Sequence, residues 1–382
     1  MNYDYIIVGA GFAGAVLAER IATQENKKVL ILEKRSHIAG NCYDEVDESG
    51  VIVHTYGPHL FHTDNEEVYD YLSGFTDWQT YVHEVVASVD DAIIPIPFNF
   101  NTLYEVYDKD KADLLKHKLI SKYGEDQKIP ILELMKDKDE DLQSLAQYVY
   151  DKIFVNYTAK QWGKKPEEIA AAVTARVPVL TSYDNRYFSD KYQVVPKEGY
   201  TKLFEKMLDH KNIRVELNVN ALERLKIKDN VLFFDGKMTP AKVIFTGMID
   251  ELFSDKFGEM PYRSIDLEFE VVEKEYYQDH AVVNYPNEHD YTRITEFKHI
   301  HPASTNKTTI LKEYPQEYKR DINTPYYPMF TDENQLKYDK YAAYANQVPN
   351  LLLVGRLAEY KYYDMDDIVA RALEVFYDMI AS

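Results

Sequence analysis

The stretch "YIIVGAGFAG", residues 5–14, constrains this chain more than any other. Four apolar β-forming residues (Tyr5, Ile6, Ile7, Val8) lead directly into Gly9, Gly11 and Gly14, and a helix-forming run follows from Ala13 to about Thr23. Each glycine answers a different steric demand: Gly9 permits the tight turn, Gly11 lets backbone approach a pyrophosphate, and Gly14 lets the helix lie close on the strand. The helix then directs its unpaired N–H groups at the anion. A second apolar strand, from Lys28 to Leu32, ends in Glu33, an acid placed to accept hydrogen bonds from ribose hydroxyls. This register predicts a Rossmann-like unit.

Charge narrows the ligand classes. With 64 acidic residues against 44 basic ones, the chain lacks the basic footprint that a nucleic acid or an anionic membrane requires, so any phosphate has to be held locally. The first residues read straight into a strand without a basic-then-apolar leader, and no apolar run approaches about eighteen residues, so no membrane insertion and a cytoplasmic location are expected. The single cysteine, Cys42, rules out an internal disulfide. No run of His, Cys, Asp and Glu has metal-ligand spacing, so no metal is expected.

The rest of the chain alternates between patterns. Two glycine-bearing loops, with Arg35, Gly40 and Asn41 and then Gly57, Pro58 and His59, follow the opening unit. Residues 80–98 alternate as a two-stranded ribbon, and 101–172 read as several amphipathic helices. From Gly199 a helix (200–208), a strand "IRVEL" and the apolar "AKVIFTG" look like the first domain resuming, whereas 262–314 alternates as antiparallel strands. At the end, "NLLLVGR" gives a buried strand, and a helix follows with Asp364 as its cap. The expected fold is therefore α/β. Its discontinuous Rossmann-like domain, of the glutathione-reductase type that binds FAD, comprises 1–79, 196–258 and 345–382. A helical domain covers 100–180, and an antiparallel sheet domain covers 80–99, 181–195 and 259–344.

Six segments carry a resemblance: "GPHLFHT", "NYTAKQWG", "DNRYFSDKYQVVPKEGYTKLFEKML", "YTRITEF", "KEYP" and "GRLAEYKYYDMD". In this order and spacing, over nearly the whole length, the chain resembles the bacterial UDP-galactopyranose mutases. It departs at "IAGN", where the family has a second glycine in place of Ala39, and at "TGMID", where it has proline in place of Met248.

The resemblance implies a flavin-dependent isomerase, active with reduced FAD, that interconverts the pyranose and furanose forms of UDP-galactose and forms a homodimer. N5 of the reduced flavin would attack the anomeric carbon and expel UDP; the sugar would open on the cofactor and reclose through O4. Matching the motifs gives Arg176 and Arg293 to the diphosphate and His59 to the flavin. Tyr157, Trp162, Tyr187, Tyr314, Tyr362 and Asp364 fall to the substrate, with Trp162 on a movable lid spanning 157–165. Gly9, Gly11, Phe12, Gly14, Glu33, Lys34, Asn41, His59, Arg356, Asp364 and Met365 are matched to FAD. His62 reads as structural, and His83 is open between the two roles. Alternatives are a mutase for another UDP-sugar such as UDP-N-acetylgalactopyranose, an amine-oxidase-like oxidoreductase, and a non-enzymatic binder like the GDP-dissociation inhibitors.

Overall fold

The computed structural model describes residues 3–162 and 178–381, without the side chain of Trp162. Arg176 and that side chain therefore lie outside the described residues. Five parallel strands form the central sheet in the spatial order Ile213–Glu216, Val29–Leu32, Tyr5–Val8, Lys242–Phe245 and Leu351–Leu353. The inner strands Tyr5–Val8 and Val29–Leu32 are unbroken apolar runs because both faces are covered, whereas the edge strand Ile213–Glu216 carries Arg214 and Glu216. Ile7, Ile31 and Ile244 face one core with the opening helix, whereas Ile6, Leu30, Val243 and Phe245 face another.

The opening helix, Phe12–Gln24, starts one residue earlier than expected, and it packs against the C-terminal helix Met365–Met379 and the helix Tyr200–Leu208. Small residues (Ala13, Gly14, Ala15, Ala18 and Ala22), all buried, allow that close approach on several sides. The three helices and the two end strands come from distant parts of the chain, so the Rossmann-like unit is discontinuous.

A seven-stranded sheet lies beside it, in the order Tyr327–Pro328, Tyr262–Val272, Thr308–Glu317, Arg293–Glu296, Val282–Asn284, Val85–Val89 and Ala92–Ile96. It is mixed rather than wholly antiparallel, because Val282–Asn284 runs parallel to Val85–Val89. A parallel join is what a long excursion produces, and the helical insert separates these two strands in sequence. Tyr192–Pro196 pairs with Phe61–Thr63 and Trp78–Thr80 in a separate three-stranded sheet.

In the insert, Asn99, Asp108 and Asp139 cap successive helices with their side chains. The helix Glu140–Val149 passes through a π-helical stretch, Tyr150–Val155, into the helix Asn156–Trp162. The first part of the expected movable loop is thus helical, and residues 163–165 lie outside the described residues. Lys160 donates to the carbonyls of Tyr285 and His289, and Asn156 donates to Asn287, which fastens this helix to the loop after Val282–Asn284.

Candidate active site

The first of two clefts opens at the carboxyl ends of the parallel strands. It holds about 260 Å³ and is lined by Gly9, Gly11, Phe12, Glu33, Lys34, Asn41, His59, Arg356, Asp364 and Met365, among others. Gly9 has φ of +102°, and a Cβ there would lie 2.1 Å from Thr246 Oγ1. A Cβ on Gly14 would lie 2.1 Å from the carbonyl oxygen of Gly9, so the helix can touch the turn only because residue 14 is glycine. Gly11, at the N-cap of the opening helix, has no side-chain cap, and the first turn carries no acid. Those N–H groups are therefore free to meet an anion. Glu33 is buried and already ordered: one carboxylate oxygen accepts from Ala10 N–H at 2.9 Å, the other from Arg35 N–H at 2.9 Å. Each oxygen keeps a lone pair for a ribose hydroxyl. Phe12 differs from its neighbours in that its ring turns inward onto Phe204, 4.6 Å away. The cleft fits an extended dinucleotide, with one helix N-terminus at the glycine turn and that of the C-terminal helix beside Asp364 and Met365.

The second cleft is larger, about 650 Å³, and lies on the seven-stranded sheet, with Val85, Ile265, Val282, Asn284, Arg293 and Glu313 in its lining. Asn41, His59, Tyr326, Arg356, Asp364 and Met365 line both clefts, so a ligand in one meets a ligand in the other at these residues. Tyr157, Tyr187, Arg293 and Tyr362 line the second cleft with His83, Glu313 and Tyr327. Arg293 has its Nε bonded to Glu313 at 2.6 Å, which leaves the two Nη groups for an anion. Burial works against its charge, but Glu313 and Tyr157 overcome that, so the guanidinium pKa is raised. The rings of Tyr327 and Tyr362 stack 6.0 Å apart, and the Arg356 guanidinium lies over both.

His59 sits at the junction. Its Nδ1 is 2.7 Å from the carbonyl of Gly57, an acceptor, so Nδ1 carries the proton and Nε2 is bare. Burial pushes its pKa down to about 4 against the Gly57 bond, and the charges of Arg356 and Arg293 add to the shift. His83 is likewise pushed down to about 3, by burial first and then by Arg293 and His62. Both imidazoles are neutral near pH 7. His62 stacks on Phe188 at 3.6 Å and lies 3.3 Å from Asp190.

One assigned tyrosine stands apart. Successive residues of a strand face opposite ways, so on Thr308–Glu317 it is Glu313 that faces the cleft, while Tyr314 turns away and meets the Tyr291 ring at 5.8 Å. The motif reading had the strand and missed the face. Tyr327, from "TPYYPM", and Glu313, directly opposite Arg293 across the sheet, line the cleft where Tyr314 does not. Strand alternation counted outward from Arg293 would have found Glu313 once the pairing was known. No local signal marks Tyr327.

Comparison with known proteins gives the family. A family model described as UDP-galactopyranose mutase matches residues 152–362. This chain belongs to the UDP-galactopyranose mutase family. Membership makes it an isomerase, and the matched span includes Tyr157, Arg293, Glu313, Tyr327 and Tyr362. A NAD(P)-binding Rossmann-like model matches residues 7–75, which carry the glycine turn, Glu33 and His59. A dTDP-fucopyranose mutase of Escherichia coli is 36% identical over 373 residues, covering 97% of this chain and 96% of that protein. The UDP-galactopyranose mutase of Mycoplasma pneumoniae is 34% identical over 380 residues, covering 97% and 95%. A solved structure of reduced UDP-galactopyranose mutase matches in fold with a TM-score of 0.74 at 13% identity, over 100% of this chain and 94% of the other. No described helix is long and apolar enough to cross a membrane.

Proposed function

We propose that this member of the UDP-galactopyranose mutase family binds FAD in the first cleft and interconverts the pyranose and furanose forms of UDP-galactose in the second. The observation that most supports this reading is that the two clefts share His59, Arg356 and Asp364, so that a nucleotide-sugar would present its sugar to the isoalloxazine end of the cofactor. Reduced flavin, when bound, supplies at N5 the nucleophile for the anomeric carbon.

The chain's own residues do the rest. The reaction must break the bond from sugar to diphosphate and later remake it, so a negative charge leaves and returns within one site. Arg293, joined by Arg176 through the motif match, holds that charge with donors suited to phosphate. Glu313 fixes the direction of Arg293 by occupying its Nε. Tyr157, Tyr327 and Tyr362 supply neutral hydroxyls and ring faces without the desolvation cost of more cations. His59, neutral with a bare Nε2, offers an acceptor at the sugar rather than an acid.

A second substrate is favoured by one observation: the Escherichia coli relative is named for dTDP-fucopyranose. The test is to give anaerobic, dithionite-reduced enzyme UDP-galactofuranose, UDP-N-acetylgalactopyranose or dTDP-fucopyranose and follow ring forms by chromatography. Conversion of UDP-galactofuranose to the pyranose by reduced but not oxidised enzyme is expected. Equal turnover in both redox states would refute the flavin role, and turnover of dTDP-fucopyranose alone would move the substrate to thymidine nucleotides. Consumption of an amine with oxygen, or a colourless protein without flavin, would refute the mutase reading altogether.

A further inference from the structure

Behind the junction lies a buried pair of histidines that neither the clefts nor the motifs account for. His54 ends the strand Ile52–His54 and is fully buried; His301 follows the turn Phe297–His299 and is 4% exposed. Their Nε2 atoms are 2.9 Å apart. His54 Nδ1, in turn, lies 2.9 Å from the backbone N–H of His59.

These contacts allow one arrangement of protons. An amide N–H can only donate, so His54 Nδ1 must be the acceptor and therefore bare. A neutral imidazole then carries its proton on Nε2, which donates to His301 Nε2. His301 must be bare at that atom and protonated at Nδ1. Burial disfavours charge on either ring and pushes the His301 pKa down to about 4. The His54 ring cannot swing away, because Phe297 at 5.4 Å and Tyr200 at 5.6 Å enclose it.

One end of this chain of hydrogen bonds stands at the junction of the two clefts, and the other lies on the segment that follows the Arg293 strand. His59 lines the junction, and His301 sits five residues beyond Glu296, the end of the strand that begins with Arg293. The segment between is rigidly turned, with His301 N–H donating to Phe297 O at 2.8 Å. We propose that His54 and His301 form a neutral two-imidazole relay that positions His59 by tying its backbone N–H to the segment carrying Arg293. Neither residue touches the ligands; both set where the cofactor side and the diphosphate side of the site stand relative to each other. Without the relay the His59 N–H would be left buried without an acceptor, and the loop would move to satisfy it.

The experiment has a spectral arm and a kinetic arm, and only the kinetic arm rests on the proposed mutase activity. In FAD-loaded wild-type enzyme labelled with ¹⁵N-histidine, two-bond ¹H–¹⁵N spectra at neutral pH should show His54 protonated at Nε2 only and His301 at Nδ1 only, assigned through single histidine variants. His54 protonated at Nδ1, or on both nitrogens, would overturn the proposal. For turnover, His54→Asn keeps an acceptor at the Nδ1 position and should hold kcat within about threefold, whereas His54→Phe should lower kcat about tenfold or more with KM and flavin content unchanged. Equal losses in the two variants, or none in His54→Phe, would refute positioning. If His54→Phe fails to retain flavin, His301→Leu decides: it leaves His54 in place without its partner, and the His54 resonances should then report mixed tautomers. An unchanged His54 pattern in that variant would refute the relay.

Discussion

Gly11→Ala and Gly14→Ala should fail in different ways, because the two glycines meet different surroundings. At Gly14 an added Cβ would stand 2.1 Å from the carbonyl oxygen of Gly9, 3.1 Å from Ile7 Cγ2 and 3.2 Å from the Gly9 carbonyl carbon. Two of these are backbone atoms of the turn, so relief requires helix and strand to separate by roughly 1 Å, and overpacking of this kind costs about 3 kcal/mol. At Gly11 the nearest atom to an added Cβ is Gly40 Cα at 3.7 Å, an ordinary contact, and φ is −79°, which alanine adopts freely. The stability of the flavin-free protein should therefore change by less than about 1 kcal/mol. The methyl would nevertheless occupy the place where backbone must approach the pyrophosphate. Losing one or two charge-assisted hydrogen bonds there should weaken FAD binding by about tenfold to a hundredfold. Flavin-to-protein ratio, titration of FAD into the stripped protein, and thermal melting with and without FAD separate these outcomes. Gly14→Ala should melt early in both forms, and Gly11→Ala should melt normally when stripped and gain little from FAD. A flavin-free Gly11→Ala protein as unstable as Gly14→Ala would refute the assignment of that space to the cofactor.

Arg293→Ala should lower kcat/KM by about 2 kcal/mol or more, roughly thirtyfold, with flavin content retained; steady-state kinetics on reduced enzyme checks this. Because Glu313 would be left buried without its partner, Arg293→Ala with Glu313→Gln should regain stability in denaturant titrations but not activity. Tyr327→Phe should impair UDP binding, whereas Tyr314→Phe, on the far face of its strand, should leave the Kd for UDP within about twofold. Stability should fall as pH drops below about 6.5. His59 and His301 have folded-state pKa values of about 4 and His83 of about 3, all below the unfolded value, so the unfolded chain binds more protons in that window. Each contributes a slope of up to about 1.4 kcal/mol per pH unit. Urea denaturation at about pH 7 and about pH 5 measures it, and a flat or rising stability on acidification would contradict the buried-neutral assignment.

Local patterns made the Rossmann-like unit readable, since a glycine turn, a helix and a terminal acid all lie within thirty-odd residues. The helix Tyr200–Leu208 and the final helix after Asp364 were legible for the same reason, by periodicity and cap. What could not be read was pairing between distant segments. Nothing in "AVVNYP" announces that its strand runs parallel to Val85–Val89, and nothing in "KEYP" says which of two adjacent residues faces a cleft. The movable-loop reading of 157–165 rested on one glycine, two adjacent lysines and a following proline. The helix through Trp162 is held by contacts of Lys160 and Asn156 to a loop more than a hundred residues away, which composition cannot register.

The same physics explains why the site sits where it does despite the scattered chain. In parallel sheets with right-handed crossovers, helix N-termini gather at the carboxyl ends of the strands. Tyr5–Val8 and Leu351–Leu353 both flank Lys242–Phe245, so the helices that follow them begin at the same edge of the sheet. Two helix ends thereby face one elongated cleft, an uncapped positive one at the glycine turn and one capped by Asp364, with Asp366 and Asp367 in its first turn. That geometry survives any insertion made between the strands, provided the insertion leaves the carboxyl edge open. The helical insert and the seven-stranded sheet are two such insertions, and the second cleft is the space between them and that edge. A net charge of −20 is then no obstacle to an anionic ligand. The attraction is supplied within the site by the bare start of the opening helix and by Arg293 and Arg356, each arginine held in place by a carboxylate or backbone partner rather than by the surface at large.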